Sequence, residues 1–108
     1  MRRLRMDFLF GASDTVKTQS ITRWGGGLFC KVIKVNMPNF TAAVTGTLAI
    51  KDCDGDQVYS KASIAKNAVT IDDTKTVPME QSSDVSLTLS GAPTGSGGTV
   101  VVTFFLVS

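Results

Sequence analysis

Three carboxylates at alternating positions, Asp52, Asp54 and Asp56, are the densest group of potentially reactive side chains in this chain of 108 residues. The cluster has two readings. Carboxylate oxygens are hard ligands, and three of them could approach a Ca²⁺ ion, which takes about six to eight oxygens. The EF-hand calcium loop, however, needs Gly at its sixth position and Glu at its twelfth. Counted from Asp52, those positions hold Gln57 and Ser63. The other reading is a hairpin turn, because Gly55 after Asp54 takes the positive φ that tight turns demand. Turn chemistry accounts for the cluster without a metal.

Catalytic groupings are not found. The chain has no His, the commonest general base and metal ligand. Cys30 and Cys53 therefore lack an imidazole partner for nucleophilic work. They stand far apart, outside any metal-ligand spacing, and two thiols without His do not make a zinc site. They are either two buried free thiols or one disulfide. No G-x-S-x-G, P-loop or dinucleotide fingerprint occurs. A glycosidase holds two carboxyls across a cleft, whereas a hairpin tip would leave Asp52, Asp54 and Asp56 exposed. The expectation is a non-enzymatic chain with no catalytic, cofactor-binding or metal-binding residues.

Partner-binding candidates come from charge and aromatics. Arg2, Arg3 and Arg5 are three of the eleven cations, and the remaining eight face nine anions. The body is thus near neutral, and a nucleic-acid partner, which calls for a basic face, is not expected. The basic start is either a solvated terminus, an arm docking on an acidic neighbour, or a minor nucleic-acid contact. Arg23 and Trp24 precede Gly25, Gly26 and Gly27. Either Trp24 caps the core, or the loop offers an aromatic and a cation, types enriched at interface hot spots. No apolar stretch reaches the roughly 20 residues of a membrane span, and Asp7 interrupts any signal-like run.

The elements that must hold these residues read as strands. Leu4, Met6, Phe8 and Phe10 alternate with Arg5 and Asp7, and Val85, Leu87 and Leu89 alternate with Ser86 and Thr88. Residues 28–35 and 43–50 are β-rich, and the latter pairs with residues 57–60 across the Asp54-Gly55 turn. Residues 15–22 suit an edge strand or an ordered arm, and residues 60–68 a loop or single helical turn. Residues 68–71 and 76–79 are short strand candidates, the second placed at an edge or a strand end by Pro78. Residues 99–107 are apolar on both faces, which predicts a central, doubly buried strand forming a terminal hairpin with residues 84–90. Seven to nine strands with regular turns predict an all-β fold, a single-domain β-sandwich over residues 1–108, Greek-key or jelly-roll-like, with a short basic arm at about residues 1–5.

Two hairpin phrases carry a resemblance: Gly46-Thr-Leu-Ala-Ile-Lys-Asp-Cys-Asp-Gly-Asp-Gln-Val-Tyr59 and Asp84-Val-Ser-Leu-Thr-Leu-Ser-Gly-Ala-Pro-Thr-Gly-Ser-Gly-Gly-Thr-Val-Val-Val-Thr103. They resemble segments of small β-rich virion proteins of tailed bacteriophages, in particular head decoration or cement proteins. The resemblance implies a non-enzymatic virion structural protein, assembled in the host cytoplasm, that clamps neighbouring subunits of a major capsid protein or another virion protein. It also implies a homo-dimer or trimer. The alternatives are a carbohydrate- or receptor-binding sandwich of a tail or fibre, and a neck or tail subunit. The bottom-up reading agrees in kind, since sheet edges and loops suit binding to surfaces.

Overall fold

The computed structural model describes residues 2–21 and 28–107. They form nine strands: β1 Arg2–Phe10, β2 Val16–Ser20, β3 Leu28–Met37, β4 Thr45–Lys51, β5 Gln57–Ala65, β6 Ala68–Asp72, β7 Val77–Met79, β8 Asp84–Leu89 and β9 Gly98–Val107. Two antiparallel sheets result, one ordered β1-β9-β3-β6 with β7 also on β3, the other ordered β2-β8-β4-β5. The described residues contain no helix, and none is long and apolar enough to cross a membrane.

The order follows from one long ribbon folded on itself. The β4–β5 hairpin is its tip. Moving away from the tip, β3 pairs with β6 and β7, β2 pairs with β8, and β1 pairs with β9. Winding that ribbon over two layers brings β9 beside β3 and β8 beside β4. This is the jelly-roll order, a device that leaves few strand edges open. Of the two sandwich topologies the sequence allowed, this is the one the chain adopts.

The inner faces carry the expected alternation. Met6, Phe8 and Phe10 of β1, Val100, Val102, Phe104 and Leu106 of β9, and Ile33, Val35 and Met37 of β3 meet Leu48, Ile50, Val85, Leu87 and Leu89 of the other sheet. Phe10 and Phe40 close one end edge to face, with ring centroids 6.2 Å apart. At the hairpin tip, Gly55 takes φ +88°. The Asp52 carboxylate accepts the backbone N–H groups of Asp54 and Asp56 at 3.0 and 2.9 Å. A single oxygen, Oδ1, thus closes the turn, as Asp side chains do in many loops.

Four sequence expectations change. Residues 60–68 are mostly strand: β5 runs on to Ala65 through Ser63, whose φ is +60°. The register shift against β4 between Gly46 and Leu48 absorbs that irregularity, so the Ala-rich spacing does not become helix. The terminal hairpin is not formed. β8 and β9 lie in different sheets, and the glycine-rich loop crosses the end of the sandwich between them. β9 is central, between β1 and β3, but only one of its faces is buried; Val101, Thr103, Phe105 and Val107 are half-buried on the other. Finally, the basic start does not project as an arm. Arg2, Arg3 and Arg5 are the first turns of β1's pleat, paired with Leu106, Phe105 and Thr103 of β9.

Candidate interaction surface

The two outer faces of the sandwich differ sharply. On the β2-β8-β4-β5 sheet, register places Thr18 beside Ser86 and Ala49, Ser20 beside Asp84 and Lys51, and Val16 beside Thr88 and Thr47. The Thr18 and Ser86 hydroxyls share a hydrogen bond of 2.8 Å. Apart from Val16, 53% exposed, this is the polar, wet face an antiparallel sheet ordinarily shows.

The β1-β9-β3-β6 sheet is different. Its outward rows read Asp7-Val101-Asn36-Val69, Arg5-Thr103-Lys34-Ile71 and Arg3-Phe105-Val32 across the strands. Phe29 lies beside Val107 and Pro78 at one end. Ile71 is 60% exposed and Val69 51%. Val32, Lys34, Ile71 and Phe105 enclose a shallow groove of ≈ 290 Å³. The apolar residues form a strip broken by Asn36 and Thr103, and an exposed apolar cluster on a sheet face makes a candidate contact surface.

Charge frames the strip. The Arg3 guanidinium lies over the Phe105 ring, 5.2 Å from its centroid, an arrangement in which the ring's negative face attracts the cation. Lys34 forms a wall of the groove. Arg5 is committed within its own strand, with Nε 2.9 Å from Asp7 Oδ1. Among the described residues no carboxylate pairs with Arg3 or Lys34.

The structure therefore brings Arg3 and Arg5 onto this face, while Arg2 has the opposite parity in the strand. Arg23 and Trp24 lie outside the described residues. Sequence reasoning missed Val32, Lys34, Ile71 and Phe105. A signal was present: Val101, Phe105 and Val107 alternate as an apolar set, but such a set reads equally as burial beneath another layer.

The thiols are both free. Cys30 is buried on β3; its S–H faces the Val32 carbonyl at 3.2 Å, and burial pushes its pKa up to about 11. Cys53 is exposed on the hairpin tip, which corrects the expectation of two buried thiols. Its Sγ lies 3.8 Å from Glu80 Oε1, and the negative charge of Glu80, with smaller contributions from burial, Asp54 and Asp52, raises its pKa. Among the described residues no group of three or more carboxylates and thiols converges as a metal site.

The fold and this surface define a jelly-roll sandwich with one outer face more apolar than the other. No protein-family model matches the chain, and no curated protein sequence does. Among solved structures, the C-terminal domain of EclA, described as a sugar-binding protein, is similar over 99% of this chain and 78% of that one, with 10% identity and a TM-score of 0.38. Structures of infectious bursal disease virus, Gx and Gt strains, are similar over 95% and 94% of this chain, with 12% and 11% identity and TM-scores of 0.32 and 0.33. This chain spans about a third of the length of those virus chains.

Proposed function

We propose that this chain is a non-enzymatic structural domain of a virion, a decoration or cement protein that attaches to a major capsid protein through the outer face of the β1-β9-β3-β6 sheet. The observation that carries the reading is the contrast between the two outer faces. A sandwich that only needed solubility would make both faces like that of β2-β8-β4-β5. This one keeps Val32, Val69, Ile71, Val101 and Phe105 at least partly accessible on one side. Jelly rolls serve as viral capsid and lectin domains among others, and fold alone does not choose between them. The phage-like phrases at residues 46–59, a hairpin here, and 84–103, a crossing between the sheets, favour the capsid.

A sugar-binding role would call for an exposed aromatic platform with polar groups beside it. Tyr59 does not supply one, being 4% exposed with its hydroxyl bound to Asp72, and the Phe105 ring carries the Arg3 guanidinium over its face. Self-association into a dimer or trimer belongs to the same proposal, because a clamp must reach more than one neighbour. Quantitative mass spectrometry of particles purified from the source is the test. The protein should be present in a fixed, symmetric ratio to the major capsid protein. Its absence from particles while present in the infected cell would overturn the reading.

A further inference from the structure

We propose that the groove of Val32, Ile71 and Phe105 receives an apolar side chain of a partner protein, flanked by carboxylates that reach Arg3 on one side and Lys34 on the other. The inference rests on the reading that this face binds a neighbouring protein, and it specifies the chemistry of that neighbour.

Size is the first argument. At ≈ 290 Å³ and open to solvent along the sheet, the groove lies at or below the roughly 300 Å³ where small-molecule pockets begin. It suits one large side chain standing on a protein surface better than a free ligand.

Charge is the second. Phe105 sits between Arg3 on β1 and the Val32–Lys34 segment of β3. Arg5 is already answered by Asp7, whereas Arg3 and Lys34 have no acidic partner among the described residues. An apolar floor bracketed by two unanswered cations is complementary to an apolar side chain bracketed by carboxylates. Such complementarity sets specificity and encounter rate more than raw affinity.

The same charges disfavour a second copy as occupant. The one carboxylate in the outward rows, Asp7, is already held by Arg5, so a second copy brings Arg3 and Lys34 further cations and no free carboxylate. The self-association proposed above must therefore use other surfaces. Four strands spaced about 4.8 Å apart, over some eight residues, give a face on the order of 500 Å². A standard interface takes about 800 Å² from each partner, so the face anchors a contact that other surfaces extend.

The test is an NMR titration of the isotope-labelled full chain with short peptides centred on Glu-Phe-Glu, Lys-Phe-Lys or Glu-Ser-Glu. The Glu-Phe-Glu peptide should shift the amides of Val32, Lys34, Ile71 and Phe105 and bind about tenfold or more tightly than either control, since Lys-Phe-Lys opposes like charges and Glu-Ser-Glu leaves the apolar groove unfilled. The double variant Arg3→Glu with Lys34→Glu alters only exposed positions. It should keep the circular dichroism of the parent and reverse the preference toward Lys-Phe-Lys. Equal binding of the acidic and basic peptides, shifts confined to another surface, or a preference unchanged in the double variant would each overturn the proposal. So would a dimer in sedimentation that Ile71→Lys dissociates, since the occupant would then be a second copy. The titration uses the isolated chain. Particles lacking the protein would thus remove the virion reading and leave this one standing, and a particle-bound protein without the acidic preference would do the reverse.

Discussion

The Tyr59 hydroxyl donates a 2.7 Å hydrogen bond to Asp72 Oδ2, tying β5 of one sheet to the end of β6 in the other. Asp72 Oδ1 also accepts the Thr74 hydroxyl at 2.6 Å and the Thr74 N–H at 3.0 Å. The Thr74 bonds, then that of Tyr59, hold the carboxyl at about 2, below its ordinary 3.8. Burial, reinforced by Asp72, holds the Tyr59 phenol above its ordinary 10.0. A carboxyl held low in the fold stabilises it above the ordinary carboxyl value, and that contribution is lost as pH falls from about 4 toward 2. A phenol held high contributes below its ordinary value, and that contribution fades as pH rises past about 10.

Tyr59→Phe should therefore cost about 1 kcal/mol near neutral pH, the usual net worth of such a bond. It should also move Asp72 part of the way back toward 3.8, the Thr74 bonds keeping it low. Urea denaturation and a carboxyl-detected NMR titration read the two effects. Native Asp72 titrating at its ordinary value would contradict the account.

Phe104 and Phe105 are chain neighbours with opposite duties. Phe104 is fully buried on the inner face of β9, while Phe105 is half-buried outside beneath Arg3. Phe104→Ala should destabilise the fold by about 3–5 kcal/mol, as truncation of a core ring does. Phe105→Ala should cost well under half of that in thermal or chemical denaturation, and should act chiefly on attachment to a partner. Similar losses from both would mean that the outer face is packed, not presented.

The strands were legible because their chemistry is local. Alternation at Leu4 to Phe10 and at Val85 to Leu89, and the Asp54-Gly55 turn, are written in adjacent residues. What was not legible depends on partners distant in the chain. The side-chain pattern of residues 84–107 is the same whether β8 and β9 pair with each other or cross to different sheets. The choice is made by β1 and β3, which flank β9, and by β2 and β4, which flank β8. The face of Arg3, Lys34, Ile71 and Phe105 draws on four strands, and no spacing rule joins them. Residues 1–5 read as an arm because charge suggested solvent. In fact, Arg3 and Arg5 point outward from a paired strand, where alternation permits charge without breaking the ladder.

In the crossing loop a Cβ would meet the Thr41 side chain at Gly95 and backbone at Gly97, so Gly97 is the stricter of the two. Gly97 adopts φ +72°, and a Cβ there would collide with the Phe10 carbonyl oxygen. Gly55 also has positive φ, at +88°, but nothing lies within 4 Å of a Cβ placed on it. Gly97→Ala should thus be clearly worse than Gly55→Ala. The latter pays only the left-handed backbone penalty of about 1–2 kcal/mol, whereas the former must also shift β1 or the loop. Melting temperatures of the two variants give the comparison. Equal shifts would show that the end of β1 yields freely.

The two thiols should be distinguishable by rate. At about pH 8, near the ordinary thiol value, a disulfide reagent should modify Cys53 in the native protein and reach Cys30 only on unfolding, because the thiolate is the reactive form and Cys30 is buried with its pKa near 11. Cys53 should still react more slowly than a free model thiol, since Glu80, Asp54 and Asp52 disfavour its anion. Glu80→Gln removes the largest of those charges and should speed the reaction, with Asp54→Asn giving a smaller gain. Exposed charges are screened by salt. Added salt should therefore accelerate labelling of the parent more than of Glu80→Gln, so that the two rates converge. A Glu80→Gln rate no faster than the parent's at low salt would mean that Glu80 does not act on the sulfur through its charge.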